Sequence, residues 1–135
     1  MIQGLSHQTF IVQNLERGAH FFRSIFDAEE IYHSGDRFFG LSREKFLLVN
    51  GLWICIMEGA PPGERSYNHV AFAIADEDYE IYQERIEALG VEVRPSRTRL
   101  AEEGRSLYFY DYDNHLFELH AGKLGTRLNR YTRRP

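Results

Sequence analysis

Apolar and polar positions along this chain form a pattern that occurs twice. Leu5-Ser-His-Gln-Thr-Phe-Ile-Val12 is short, apolar and carries a histidine near its start. Tyr67-Asn-His-Val-Ala-Phe-Ala-Ile74 has the same form 62 residues later, with His69 on His7, Phe72 on Phe10 and Ile74 on Val12. Both read as strands. A helical stripe follows each one. Leu15, Ala19, Phe22 and Phe26 recur at steps of four, three and four, while Tyr79, Tyr82, Ile86 and Leu89 recur at three, four and three before Gly90 supplies a stop. Short strand-like runs come next: Glu30–His33, Arg37–Ser42, Lys45–Val49 and Leu52–Glu58 in the first copy, and Val91–Arg94, Leu107–Tyr110 and His115–His120 in the second. Turn chemistry separates them at Ser34-Gly-Asp36, Asn50-Gly51 and Asp111-Tyr-Asp-Asn114.

The pattern predicts an α+β fold of paired βαβββ modules in one domain, residues 1–135. The first module covers about residues 4–58 and the second about 67–122. Between them lies a linker, 59–66, in which Gly59-Ala-Pro-Pro-Gly63 has no periodicity, and a basic segment, 123–135, follows as a surface helical end. A module of roughly sixty residues buries a core only marginally by itself, so pairing within the chain or in a dimer is expected. Composition narrows the function. Sixteen Lys and Arg against twenty Asp and Glu leave a net charge of -4, which argues against a general nucleic-acid binder. A single cysteine excludes an intrachain disulfide and fits a reducing compartment. The opening Met1-Ile-Gln-Gly-Leu-Ser-His7 has neither the basic nor the apolar region of a secretory leader, and runs such as Leu52–Met57 are too short to cross a bilayer. A cytoplasmic protein with no membrane association is expected.

Three residues stand out as metal ligands. His7 and His69 occupy equivalent points on the first strand of each copy, and Glu118 lies on the last strand of the second. Side chains alternate along a strand, so Glu118 shares a face with Leu116 and His120. A carboxylate on a buried strand needs a partner, and a divalent cation held by two imidazoles and one carboxylate provides one. The offset of 62 sets Ile56 against Glu118, so the first copy is expected to lack the third ligand and leave open coordination positions. The competing reading makes both histidines backbone-bonded residues at the core edge; the joint presence of Glu118 favours the metal. Cys55, between isoleucines, reads as a small core hydrophobe.

This organisation resembles the vicinal-oxygen-chelate superfamily. Gly4-Leu-Ser-His7, Gly51-Leu-Trp-Ile-Cys55, Tyr67-Asn-His69, Gly104-Arg-Ser-Leu-Tyr-Phe-Tyr-Asp111 and Asp113-Asn-His-Leu-Phe-Glu-Leu-His-Ala-Gly122 resemble the fosfomycin-resistance enzymes. Leu41-Ser-Arg-Glu-Lys-Phe46, with Arg65-Ser-Tyr-Asn-His69 downstream, is similar to their hydrolase branch, the FosX type. The resemblance implies a swapped homodimer in which the metal, typically Mn(II), takes its first histidine from one subunit and its other two ligands from the partner. The matching positions here are His7, His69 and Glu118. It also implies hydration of the epoxide of fosfomycin to a vicinal diol.

On the same basis Glu44 matches the general base, and Thr9 the threonine that contacts the oxirane oxygen. Arg127 matches an arginine that reaches the phosphonate, Tyr67, Ser106 and Tyr108 match hydroxyl donors, and Trp53 matches an aromatic wall. In the loop Arg94–Leu100, Arg99 is the arginine expected to approach the anion. Ala101-Glu-Glu103 departs from the glycine-rich loop expected there. His120 is expected to stand behind Glu118. His20, His33 and His115 have no assigned role.

The nearest rival is thiol transfer to the same epoxide from glutathione, bacillithiol or cysteine, which needs no carboxylate base at position 44. A metal-free drug-sequestering protein on the same fold is a different class, and the ligand set argues against it. Another chelate enzyme, an isomerase or ring-cleaving dioxygenase, would not need the phosphonate donors.

Overall fold

The central strands of this chain carry side chains that must be buried under a helix, and that requirement sets the architecture. The structure, a computed structural model, describes residues 1–37, 42–96 and 103–133. Its elements are β1 (His7–Val12), α1 (Leu15–Phe26), β2 (Glu29–His33), β3 (Glu44–Val49), β4 (Leu52–Glu58), β5 (His69–Ala73), a short turn of helix at Asp76–Asp78, α2 (Tyr79–Leu89), β6 (Val93–Arg94), β7 (Arg105–Tyr110), β8 (Leu116–Ala121) and α3 (Leu124–Thr132). The fold class is α+β, with two four-stranded sheets of identical topology, β1-β4-β3-β2 and β5-β8-β7-β6. In each, the first strand pairs parallel with the last, and the remaining pairs are antiparallel. Most of the expected strand at Arg37–Ser42, together with Arg99, lies outside the described residues.

The chain divides into two compact units: Met1–Arg65 with Asp111–His115, and Ser66–Tyr110 with Leu116–Pro135. In the first, Asn14 caps α1 by accepting a hydrogen bond from the Arg17 N–H at 2.9 Å, and Asp27 ends it in the left-handed region. The predicted stripe is buried, and Gly18, Phe21 and Ile25 widen it. It meets the helix-side row of the sheet, where Val12, Leu47, Ile54 and Ile56 are fully buried. Each such aliphatic or aromatic side chain contributes about 1.5–3 kcal/mol on burial. Lys45 belongs to this row too. Its ammonium is bound by Glu30 at 2.7 Å and Glu16 at 2.8 Å, and these two acids hold its pKa up against burial.

The second unit buries Phe109, Phe117 and Leu119, but α2 buries only Ile86 of its predicted stripe. Tyr79 is instead covered by Arg105, whose guanidinium lies 4.0 Å from the ring centroid. Arg105 also donates to Asp76 at 2.9 Å and Glu80 at 2.8 Å, which ties the start of β7 to the start of α2. Gly104 precedes this clamp with φ +81°, and a Cβ there would come within 2.8 Å of the Ala121 carbonyl carbon. Only glycine fits.

Gly104→Ala should therefore lower the unfolding free energy by about 2–4 kcal/mol. Urea denaturation of the purified chain reads this as a lower midpoint with an unchanged slope; an unchanged midpoint would contradict the steric account.

Candidate functional site

The ladder registers place the chemistry on the sheet faces turned away from α1 and α2. In the first unit that face carries His7 and Thr9 from β1, Trp53 and Cys55 from β4, and Glu44 and Phe46 from β3. His7 is exposed, stacks on Trp53 at 4.1 Å between ring centroids, and has the Ser6 hydroxyl 3.0 Å from Nδ1. This leaves Nε2 as the nitrogen that could meet a ligand. Phe46 meets the edge of Trp53 at 5.1 Å, which completes an aromatic wall.

Glu44 starts β3 and is held by Ser34, which is almost completely buried. Its N–H donates to Ser34 Oγ at 2.9 Å, and its carbonyl accepts the Ser34 N–H at 3.0 Å. The charged turn around it sorts by partner. Arg43 donates to Glu58 and pairs with Asp36, and Lys45 points to the helix side. Among the described residues Glu44 makes no ion pair, and its Oε2 accepts from the Cys55 thiol at 3.7 Å.

The same register corrects one reading of the sequence. Thr9 pairs with Cys55, and Ala71 with Glu118, so the first-unit counterpart of Glu118 is Cys55 and not Ile56. The offset gains one residue because the Asn50-Gly51 turn between β3 and β4 is replaced by the longer Asp111–His115 segment between β7 and β8. Cys55 is a buried core residue, as its apolar strand suggests, and its row is the one that also carries Thr9 and Glu44. Burial and the nearby Glu44 carboxylate push its thiol up to about 11.

In the second unit His69 and Glu118 meet directly, with Nε2 and Oε1 3.0 Å apart. The Tyr67 carbonyl lies 2.7 Å from His69 Nδ1, so that nitrogen carries the proton and Nε2 presents its lone pair to the carboxylate. Two acceptor atoms this close require a positive centre, a proton or a cation, to hold them. The donor set therefore fits a divalent metal. Among the described residues no group of three or more His, Cys, Asp or Glu side chains converges.

Behind Glu118 runs a directional relay. A guanidinium only donates, so Arg127 Nη2 gives a hydrogen bond to His120 Nε2 at 3.1 Å. His120 Nδ1–H then donates to Ser106 Oγ at 2.7 Å, and the Ser106 hydroxyl donates to Glu118 Oε2 at 2.6 Å. Ser106 is buried, and its one hydroxyl proton goes to Glu118. It orients the carboxylate, which differs from the ligand-facing donor expected from sequence. Arg127, His120, Glu118, Lys123, Leu124 and Ala71 line a cleft of about 210 Å³. A second cleft, about 260 Å³, is lined by Tyr67, Tyr108, Arg94, Pro95 and Ser96. There Tyr67 donates to the Tyr108 hydroxyl at 3.3 Å, and Arg94 lies over the Tyr67 ring while donating to Tyr110 at 3.2 Å. Arg94, which ends the strand-like run Val91–Arg94 and pairs opposite Tyr108, also lines this cleft.

Comparison with known proteins follows from this geometry. Residues 4–119 match the family model of the Glyoxalase/Bleomycin resistance protein/Dioxygenase superfamily. The chain is 62% identical over 131 residues to the fosfomycin resistance protein FosX of Listeria innocua, covering 97% of this chain and 98% of that one. It is 32% identical to the metallothiol transferase FosB of Staphylococcus haemolyticus over 97% and 92% of the two chains. A solved structure of a FosX variant from Listeria monocytogenes, complexed with Mn(II) and 1S,2S-dihydroxypropylphosphonic acid, superposes with a TM-score of 0.88 at 59% identity, covering 97% of this chain and 99% of that one. No helix among the described residues is long and apolar enough to cross a membrane.

Removing the last donor of the relay tests the ligand assignment. Ser106→Ala should weaken Mn(II) binding about tenfold or more. Titration followed by electron paramagnetic resonance reads the free ion, and unchanged affinity would separate the relay from the metal.

Proposed function

The chain belongs to the FosX family of fosfomycin resistance proteins, and from that premise we propose that it hydrates the epoxide of fosfomycin to a vicinal diol, with Glu44 as general base. The single observation that carries this reading is the isolation of Glu44: fixed backbone, no ion pair among the described residues, and a place on the same sheet face as His7 and Thr9. Thiol transfer needs no such carboxylate, and the transferase relative is only 32% identical to this chain.

His7 of the partner subunit, with His69 and Glu118, would hold the metal in a swapped homodimer, and Mn(II) is the ion in the FosX structure that superposes on this one. The chemistry a bound divalent ion supplies there is Lewis-acid stabilisation of the charge that develops on the epoxide oxygen. The protein's own groups do the rest. Glu44 takes a proton from water as the oxygen of that water bonds to a ring carbon. The C–O bond electrons pass to the ring oxygen, which then acquires a proton. Thr9, on the face of His7, offers a hydroxyl to that oxygen. Arg127 and Arg94 bring cationic charge, and Tyr67 and Tyr108 hydroxyl donors, to a phosphonate dianion. Trp53 walls the site beside His7. A cytoplasmic location accords with this role.

Phosphorus-31 NMR of fosfomycin with the Mn(II)-loaded protein and no thiol should show the diol resonance, abolished by chelator. Glu44→Gln should lower kcat by about a hundredfold or more while Mn(II) affinity stays unchanged. A new adduct only on addition of thiol would move the protein to transfer chemistry.

A further inference from the structure

Cys55 has no place in the reaction outlined above, yet it is the direct partner of the group placed at its centre. We infer that Cys55 is a positioning residue for Glu44: its thiol donates to Oε2 and fixes which carboxylate oxygen is left to receive the proton of water. This rests on the reading of Glu44 as base.

Two observations on the first unit carry it. Thr9, Cys55 and Glu44 stand on adjacent strands, β1, β4 and β3, on one face. An ionised carboxylate only accepts, so the 3.7 Å contact runs from thiol to Oε2. Cys55 thus lies between the strand of the proposed oxirane contact and that of the proposed base. With its thiol held up near 11, Cys55 remains a donor throughout the neutral range.

The repeat supplies an independent argument. Cys55 corresponds to Glu118, and Glu44 to Ser106, at the same diagonal of the same strand pair. In the second unit the hydroxyl of Ser106 donates to the Glu118 carboxylate. In the first the donor and acceptor have exchanged strands, and the carboxylate stands on β3. A donor–carboxylate pair is therefore a device this module builds at that position, one copy serving a ligand and the other a base.

Two measurements test the role. Cys55→Ala removes the donor and the volume, and Cys55→Val removes the donor but keeps apolar bulk. Both should lower kcat for fosfomycin about threefold to tenfold, with KM within about twofold of wild type. Recovery of full kcat by the valine variant would make the contribution one of packing and overturn the inference. The second measurement is independent of turnover. Cys55 is the one thiol of the chain, so its S–H Raman band is unambiguous. The band should rise in frequency on Glu44→Ala as the hydrogen bond is lost. A band that ignores this substitution overturns the positioning role and leaves the base intact. Retained hydration by Glu44→Gln overturns the base, and the positioning role with it.

Discussion

The period-two alternation of the strands is the constraint on which everything else here depends. Because one row of each sheet is committed to covering a helix, the other row is released from packing and can carry polar groups. Parallel pairing of first and last strands, repeated in both units, sets His7 beside Trp53 and Ala71 beside Glu118. A slip of one residue in either ladder would exchange the two rows and place isoleucine where Cys55 stands, or phenylalanine or leucine where Glu118 stands. The site is therefore as well specified as the core, since each fixes the register of the other.

The same separation explains how one short turn can hold so many charges without their cancelling. In Ser42-Arg-Glu-Lys45 alternate residues go to opposite faces: Lys45 passes to the helix side and is neutralised there by Glu16 and Glu30, and Arg43 is occupied by Glu58. Glu44 is left with a thiol for company. Read as composition, the turn is a solvated charged loop; read by row, it keeps one acid without a counter-ion among the described residues beside two cations that are matched.

Much of this was legible in the sequence, and the limits have physical causes. The repeat, the helices and the pairing of His7 with His69 follow from periodicity, because strand and helix spacing are local. The counterpart of Glu118 was misplaced by one residue because a constant offset cannot see a turn change length, and Asn50-Gly51 differs from Asp111–His115 in just that way. Cys55 read as core and is buried, but its contact with Glu44 comes from another strand and leaves no mark on the local sequence. The relay through His120 and Ser106 brings β7, β8 and α3 together, and only tertiary structure reveals which way each proton points.

Duplication of a module would by itself build two equal sites. The exchanged donor and acceptor forbid it. A carboxylate at position 55, as the second copy has at its counterpart, would stand beside Glu44, and two acids at that separation cannot both stay ionised near neutral pH. One would keep its proton, and either the proposed ligand or the proposed base would be lost. Position 55 and position 44 thus exclude one another as acids, so the inequality of the two halves is enforced by electrostatics. The twofold ancestry visible in the backbone can never be restored in the chemistry without extinguishing one of its functions.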